Sequence, residues 1–321
     1  MDSSWRKSCK IYKNQRNKKL MDTISTIILT YNEEKHIERC IKNAQKFSEE
    51  IFLVDSFSTD NTIHIAESLG AKVYQNKWEN NYAKQLNWGL NNLPITTEWV
   101  FRLDADEYLM ADLISEINRK LPRLEKNISG IVFERKMYFL NTLMTKGMLQ
   151  MNMLRLFKNK HGFCEERWMD EHIVLTKGKS IHFEGYFVDH NLNPLGWWIQ
   201  KHDGYSIREA IDLLNLEYNF IKPKSSEVLQ YEMSKDALSK RDKKKKYANM
   251  PLFWRSFIYF IYRYFLKLGF TQGKEGFLWH FLQGWWYRTL VDAKIYEIKK
   301  HCGGDKEKMK LFILQNYQIR L

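Results

Sequence analysis

The chain has 321 residues, of which 44% are hydrophobic and 15% are aromatic, and its formal net charge is +13. This apolar content argues against wholesale disorder, and the sequence has no long uncharged apolar run that would predict a membrane-spanning helix. The four cysteines are scattered without a CxxC pair, which argues against a zinc site or a disulfide framework and favours a reducing cytosol.

The first 21 residues differ in composition from the rest of the chain. Residues 1–20 hold seven Lys or Arg against one Asp and show no apolar periodicity. No apolar segment follows these charges, so the stretch lacks the pattern of a secretory signal. We expect residues 1–21 to form a basic, disordered extension ahead of the folded domain.

Short apolar runs alternate with helical patterns over the next 80 or so residues. The apolar, β-branched runs predict buried strands at 24–30, 51–54, 72–74 and 99–103. Helical patterns separate these runs, at 34–46, 61–69 and 82–90. This alternation predicts βαβ units, and hence an α/β fold with a mostly parallel sheet flanked by helices. The loops that follow such strands open on one edge of the sheet, where ligands bind.

Carboxylates follow the fourth predicted strand directly, at Asp104, Asp106 and Glu107. Such a cluster cannot be buried without compensation, because an unpaired buried charge is very costly. A divalent cation that bridges to phosphate oxygens would supply the compensation, and hard oxygen ligands suit Mg²⁺ or Mn²⁺. Two alternatives stay open: a lone D-x-D is often a solvated acidic turn, and Arg102 can simply neutralise Asp104.

Four short motifs occur in a fixed order along this part of the chain. Each is weak alone, but together they resemble family 2 glycosyltransferases of the GT-A fold, and most of all the bacterial transferases that build lipopolysaccharide core, capsule or exopolysaccharide. The motifs are Thr30-Tyr31-Asn32-Glu33, Val54-Asp55-Ser56-x-Ser58-x-Asp60, Ala83-Lys84-x-x-Asn87-x-Gly89 and Asp104-Ala105-Asp106.

The resemblance implies an inverting, metal-dependent transfer of a sugar from a nucleotide donor, with a UDP-hexose as the expected donor. It implies that the first loop and Asp55 hold the base and ribose, that Lys84 approaches the phosphates, and that Asp106 binds Mn²⁺ or Mg²⁺. Asp55 is suited to this role because it can accept a hydrogen bond from a uracil imide. Turn chemistry explains Asp55 equally well, and Lys84 can be a solvated helix residue. The expected donor-binding residues are Thr30, Tyr31, Asn32, Glu33, Asp55, Ser56, Lys84, Asn87, Arg102 and Asp104.

A second acidic segment surrounds Asp170-Glu171-His172. Inverting transfer needs a base that takes the proton of the acceptor hydroxyl. Asp170 or Glu171 resembles the base of the family, although related sequences often have a Glu-Asp pair here. We favour Glu171, because Asp170 can cap the turn. The alternative is a surface acidic patch with a structural His172.

His190, in Asp189-His190-Asn191, is a candidate second ligand for the metal at Asp106. A neutral imidazole suits this role, and several related transferases use a residue in this region in that way. A lone histidine is also often structural. Between these segments, residues 130–138 and 153–157 predict further strands, and the Met-rich stretch 140–153 predicts either a mobile loop over the acceptor or a filler of the core.

Beyond Pro194 the pattern becomes helical and rich in aromatic residues, most of all at 253–270 and 276–287. Arg255, Arg263 and Lys267 recur with Tyr259 along one stripe. A helix of this kind either packs into protein or lies in a bilayer interface with its basic side chains reaching the headgroups. We expect a helical region that touches the inner face of a bacterial plasma membrane, and a packed helical subdomain is the alternative.

The resemblance divides the chain into the extension 1–21, a nucleotide-sugar-binding catalytic domain at 22–193 and a helical region at 194–321. The expected partners are a nucleotide sugar, a lipid-linked or lipopolysaccharide-type glycan and the membrane surface, and no nucleic acid. A non-catalytic basic protein that binds membrane or nucleic acid is the alternative, but acidic clusters at strand ends would repel phosphate. A sugar nucleotidyltransferase would need a basic, Gly-rich loop where the chain has Thr30-Tyr31-Asn32-Glu33.

Overall fold

The computed structural model describes residues 24–166, 171–220 and 244–321, so the predicted basic extension lies outside the described residues. None of the helices in these ranges is long and apolar enough to span a membrane. The strands are β1 (Ile24–Thr30), β2 (Glu50–Asp55), β3 (Lys72–Gln75), β4 (Trp99–Asp104), β5 (Glu107–Leu109), β6 (Ile128–Phe139), β7 (Thr142–Met144), β8 (Met151–Lys158), β9 (Gly162–Cys164), β10 (Ile173–Leu175) and β11 (Lys179–Asp189). The helices are α1 (Ile37–Ala44), α2 (Thr62–Ser68), α3 (Tyr82–Asn92), α4 (Ala111–Lys120), α5 (Leu195–Tyr218), α6 (Trp254–Ile261), α7 (Gly273–Trp279), α8 (Tyr287–Cys302) and α9 (Lys306–Tyr317).

Nine of these strands form one sheet in the order β3-β2-β1-β4-β8-β6-β11-β5, with β7 paired to β6. The first four strands in this order are parallel, as the βαβ alternation predicts. Beyond β4 the sheet is mixed, because β8 runs antiparallel to both β4 and β6. The α/β class is therefore confirmed, with four consecutive parallel strands in one half of the sheet and, in the mixed half, a parallel pair formed by β6 and β11.

The sheet buries both of its faces, which explains why its strands are continuous apolar runs rather than alternating ones. On one face the ring of Phe101 stacks on Phe133 with centroids 5.8 Å apart and tilts against Phe47 at 5.2 Å. The other face packs Phe52 and Leu86 in a second cluster. Burial of each such side chain contributes about 1.5–3 kcal/mol relative to exposure.

The register of the parallel strands aligns the ends that matter for the site. Thr30 lies opposite Asp55, and Leu29 lies opposite Asp104. The loops after β1, β2 and β4 therefore open beside one another, at a single edge of the sheet.

The C-terminal helices build a core of their own, in which α5, α8 and α9 pack around Ile211, Val291 and Ile313. The predicted basic stripe is wrong for two of its members. Arg255 and Arg263 are buried rather than turned toward solvent, because each has acceptors inside the protein. Arg255 donates to Asp292 and Arg263 donates to a backbone carbonyl. The outward surface is made of aromatic and aliphatic side chains instead.

The Met-rich stretch is ordered by packing rather than left as an open loop. Met144 is buried in β7, in a small cluster with Phe139 and Trp279. The indole Nε1 of Trp279 lies 3.1 Å from the sulfur of Met148. Of the two uses predicted for these methionines, filling the core is the one observed.

Candidate active site

The first two strand ends are tied together by one buried carboxylate, Asp55. Its Oδ1 accepts a hydrogen bond from the Thr30 hydroxyl at 2.8 Å, and its Oδ2 accepts one from the Ser58 backbone N–H at 2.8 Å. Asp55 has no exposed surface. In this structure the side chain therefore organises the two loops and presents no open face to a base, unlike the direct contact that the resemblance implies.

The loop after β1 is held in place by the loop after β2. Asn32 adopts a left-handed conformation with φ of 56°, its N–H donates to the Ser58 hydroxyl, and its side-chain oxygen accepts from the Thr59 N–H at 2.8 Å. The Glu33 N–H donates to Thr62. Tyr31 is different, because its side chain is 59% exposed at this edge. Of the four residues in the motif, Tyr31 is the one whose ring is open to a ligand.

The third motif lies on α3, and the structure separates the roles of its residues. Lys84 is partly exposed and pairs with Glu79, whose hydrogen bond raises the pKa of Lys84. Lys84 also lines a surface groove together with Glu166. Asn87 was predicted to bind the donor, but both ends of its amide bond the backbone of Cys164, at 2.8 Å each. Asn87 therefore anchors β9 to α3, and it also lines the surface groove beside Lys84, so its role in donor binding stays a prediction.

The predicted cluster after β4 contains an ion network in which Arg102 neutralises Asp104, one of the alternatives open from the sequence, and in which Arg155 is an unpredicted member. Arg155 on β8 is fully buried, and its Nη2 lies 2.6 Å from Glu107 Oε1 and 3.2 Å from Asp104 Oδ2. Arg102 lies 3.8 Å from Asp104 and donates to the Tyr82 hydroxyl, which in turn donates to Asp104. The two arginines therefore supply positive charge that compensates the carboxylate of Asp104, a role for which the sequence suggests a divalent cation.

These contacts set the charge states of the two carboxyl groups. Burial alone would raise the pKa of Asp104, but Arg155 and Arg102 hold it well below its usual range. Burial raises the pKa of Glu107 to about 8 despite the opposing effect of Arg155. Asp104 and Arg102 were both predicted to bind the donor, and the structure shows both of them engaged inside the protein.

Asp106 is partly exposed, as Asp104 is, but it differs from Asp104 in being lightly bonded. Its Oδ2 accepts one hydrogen bond from Asn191 at 2.9 Å, and within the described ranges its Oδ1 has no hydrogen-bond donor. The backbone N–H of His190 donates to the backbone carbonyl of Asp106 at 3.0 Å. The guanidinium of Arg39 donates to the backbone carbonyls of both residues. The two predicted metal ligands are therefore neighbours on adjacent segments.

The His190 imidazole has a defined environment. Its ring stacks on Tyr138 at 4.4 Å, and its Nε2 lies 3.0 Å from the side-chain oxygen of Asn141. The other ring nitrogen, Nδ1, lies 3.4 Å from the Tyr108 hydroxyl. Burial and the positive charge of Arg39 lower the pKa of His190, which favours the neutral form that a metal needs.

Asp106 and His190 fit a cation that arrives with a phosphate ligand. Among the described residues, no group of three or more His, Cys, Asp or Glu side chains could hold a metal by itself. Mg²⁺ usually takes one or two carboxylates and completes its shell with water and substrate phosphates, so two protein donors are enough. The free Oδ1 of Asp106 is the oxygen best suited to such a contact.

Two further charged residues lie near Asp106, and neither was predicted. Burial and the neighbouring Asp106 raise the pKa of Asp189 to about 6, although Arg135 lies 3.6 Å away. Lys201 on α5 is subject to two opposing effects. Burial lowers its pKa, but Tyr205, Asp106 and Asp189 raise this pKa above its usual range. The sequence shows Lys201 only as one more basic residue of a helix, so only the tertiary structure identifies it.

The second acidic segment lies on the same side of the sheet as the first. Asp170, one of the two candidate bases, lies outside the described residues. Glu171, the favoured one, lines a small cavity together with Arg102 and Met153. Because Arg102 also contacts Asp104, the cavity joins the segment before β10 to the end of β4.

Comparison with known proteins finds similarity to glycosyltransferases. Residues 25–174 match the model of the family described as "Glycosyl transferase family 2", a stretch that contains Asp106 and Glu171 and ends before His190. An uncharacterized glycosyltransferase of Rickettsia typhi is 27% identical over 266 residues, which are 80% of this chain and 82% of that protein. An uncharacterized glycosyltransferase of Rickettsia bellii is 41% identical over 98 residues, 30% of this chain and 32% of the relative.

Among solved structures, the chain is similar to glucosyl-3-phosphoglycerate synthase from Mycobacterium tuberculosis in complex with Mn²⁺, UDP and glucosyl-3-phosphoglycerate. The identity is 20% and the TM-score is 0.32, and the match covers 39% of this chain and 48% of the other.

Proposed function

We propose that the protein is a glycosyltransferase of family 2, whose model matches residues 25–174, and that it transfers a hexose from a nucleotide-sugar donor, with UDP as the nucleotide, to a glycan acceptor with inversion. The match to a family of enzymes argues against the non-catalytic alternative. The single observation that supports the proposal is that two candidate residues lie close to the end of β4. The lightly bonded Asp106 follows this strand, and the candidate base Glu171 lines a cavity together with Arg102 of the strand.

We assign donor binding to the loops after β1 and β2 and to α3. The exposed ring of Tyr31 is suited to stack on the base, while Asp55 supports the loop from beneath. Lys84 can exchange its exposed pairing with Glu79 for a phosphate, since an ion pair at the surface stabilises the protein by only about 0–1 kcal/mol.

Asp106 and His190 would hold Mn²⁺ or Mg²⁺ against the diphosphate. The metal, when bound, would offset the negative charge that develops on the departing diphosphate. Lys201 contributes fixed positive charge at the same edge, because its neighbours keep it protonated.

Glu171 is proposed to take the proton of the acceptor hydroxyl. As the hydroxyl oxygen bonds to the anomeric carbon, the bond from that carbon to the diphosphate oxygen breaks, and the proton passes to the Glu171 carboxylate. A single displacement of this kind inverts the anomeric configuration. Arg102 lines the same cavity.

The test is a reaction with UDP-hexoses and Mn²⁺, followed by NMR of the anomeric proton of the product. Inversion is expected, and retention would contradict the mechanism. Glu171→Gln and Asp170→Asn form a matched pair, because each removes one charge and keeps the shape of the side chain. Loss of a general base costs about 10²–10⁴-fold in kcat, so only the variant of the true base should fall into that range. A large loss in Asp170→Asn alone would transfer the role to Asp170.

We also propose that the protein meets its acceptor at an anionic membrane surface. The outward side of α6, α7 and the turns between them, named the aromatic face here, exposes Trp254, Ile258, Phe265, Leu266, Leu268, Phe270 and Phe277. Trp254 is 65% exposed and Leu266 is 72% exposed, with the exposed Lys267 and Lys274 beside them. Such a contiguous apolar surface calls for a partner. Anionic lipid fits both properties, since each nearby lysine adds about 1 kcal/mol of attraction.

Flotation with phosphatidylcholine vesicles, with and without phosphatidylglycerol, tests this contact. The protein is expected to float with the anionic vesicles and to lose most of the bound fraction in the double variant Phe265→Glu/Leu266→Glu. Leu311→Glu is the control, because Leu311 is an exposed leucine of α9, outside the aromatic face. Equal flotation of the wild type and the double variant would contradict the proposal, and self-association detected by sedimentation would assign the face to a second copy.

A further inference from the structure

The β6–β7 hairpin reaches from the C-terminal helices to His190. Its turn is made by Leu140 and Asn141, with φ of 47° and 61°. Asn141 is exposed, yet its side-chain oxygen lies 3.0 Å from His190 Nε2, and Tyr138 of the same hairpin stacks on the imidazole. The hairpin therefore holds the ring both by its face and by one nitrogen.

The two nitrogens of His190 are not equivalent in this arrangement. Nε2 has a partner at 3.0 Å, whereas the Tyr108 hydroxyl lies 3.4 Å from Nδ1, which is long for a hydrogen bond from a hydroxyl. A neutral imidazole carries one N–H and one lone pair. An amide oxygen at Nε2 requires the N–H there, so the lone pair falls on Nδ1.

The far end of the hairpin is fixed to the C-terminal helices by several hydrogen bonds. The side chain of Gln272 accepts from the N–H groups of Thr145 and Lys146 at 3.0 and 2.9 Å. Arg263 donates to the Gly147 carbonyl at 2.8 Å, and the Gly147 N–H donates to the Lys267 carbonyl. A Cβ on Gly147 would lie 2.4 Å from the His280 ring, so the fit is close. The hairpin is thus a braced support rather than a loose loop.

We infer that Asn141 is a positioning residue for His190: its amide oxygen accepts the Nε2–H and leaves the Nδ1 lone pair available to a cation that Asp106 would also hold. The inference rests on the proposed metal role of Asp106 and His190. It agrees with the general behaviour of metal-binding histidines, which donate their second ring N–H to an oxygen acceptor.

Two substitutions of Asn141 separate a positioning role from a structural one. Asn141→Gly removes the acceptor without backbone strain, because glycine adopts positive φ freely. Asn141→Asp keeps an oxygen that can only accept. Leu140→Gly is the matched control, since Leu140 occupies the preceding left-handed position of the same turn. The measurements are the ¹⁵N shifts of the His190 ring in the ligand-free protein and the affinity for Mn²⁺ in the presence of UDP, by calorimetry at pH 8.

The wild type is expected to show the Nε2–H tautomer. Loss of such an acceptor typically weakens metal affinity by about 10–100-fold, and this is expected for Asn141→Gly. Asn141→Asp and Leu140→Gly should bind within a few-fold of the wild type, and Asn141→Asp should keep the tautomer. An Nδ1–H tautomer in the wild type, or equal Mn²⁺ affinity in Asn141→Gly, would overturn the inference. Failure of the metal proposal itself has a separate signature, namely that wild type and His190→Ala bind Mn²⁺ equally.

Discussion

Asp104 and Asp106 belong to one motif and are separated by a single residue, but the two regions around them are built differently. Asp104 is enclosed by Tyr82, Arg102 and Arg155, whose contacts neutralise it inside the protein. Asp106 lies at the edge, with one side-chain hydrogen bond from Asn191. The contacts of Asp104 connect β4 with β8, whereas the Asp106 carboxylate stays available to a ligand. The difference shows that a D-x-D pattern alone does not say which aspartate meets a ligand.

The largest effect, a loss of stability, is expected from Arg155→Met, which removes a positive charge from the region around Asp104. The substitution removes the partner that the buried Glu107 shares with the partly exposed Asp104, and breaking a buried pair typically costs about 3–5 kcal/mol. Urea unfolding at pH 7 measures the change. Arg119→Met, at an exposed position of α4, should stay within about 0.5 kcal/mol of the wild type. Similar stability of both variants would show that the network does not support the edge.

Asp106→Asn removes the negative charge of the lightly bonded carboxylate. It is expected to lower kcat by about 10²–10³-fold, the size typical for loss of one preorganised electrostatic contact. Its stability should be nearly unchanged, because its side chain makes one exchangeable hydrogen bond. Asp104→Asn is the reciprocal test, with loss of stability and little change in Mn²⁺ affinity. If both variants lose Mn²⁺ affinity equally, the contrast between the two regions fails.

Lys201→Met should raise the KM for the donor about tenfold, which corresponds to about 1.4 kcal/mol, because it removes fixed positive charge near Asp106. Steady-state kinetics with varied nucleotide sugar measures the effect. Lys201→Arg keeps the charge and should recover most of the affinity. An unchanged KM in Lys201→Met would leave Lys201 as a packing residue of α5.

The smallest effect is expected from Tyr31→Ala, which removes the exposed ring proposed to stack on the base. Aromatic stacking contributes about 0.5–1.5 kcal/mol, so the Kd for UDP should rise by a few-fold to about tenfold. Calorimetric titration with UDP checks this, and Tyr31→Phe should bind as the wild type does. Equal weakening in both variants would point to the hydroxyl rather than to the ring.

The sequence by itself determined the parallel half of the sheet. β1, β2 and β4 are runs of apolar and β-branched residues whose pattern is local, and each is followed by polar residues that mark its end. Because parallel strands place their C-terminal ends together, the common edge also followed from the order of elements. The region that carries Asp55, Asp106 and Glu171 was predicted in this way, and the use of these residues in catalysis stays a prediction.

Only the tertiary structure decided which polar residues are bonded to distant groups inside the protein and which are lightly bonded. Arg155 meets Asp104 across 51 positions of the chain, Asn87 meets Cys164 across 77, and Arg263 meets Gly147 across 116. No local pattern distinguishes these residues from solvated ones, since periodicity reports which face of an element is apolar and not which distant group supplies an acceptor. The charge state of a carboxylate depends on the neighbours that folding brings within a few ångströms. The surroundings of Asp104 and Asp106 therefore differ only because β8 packs against the first and the segment after β11 packs against the second.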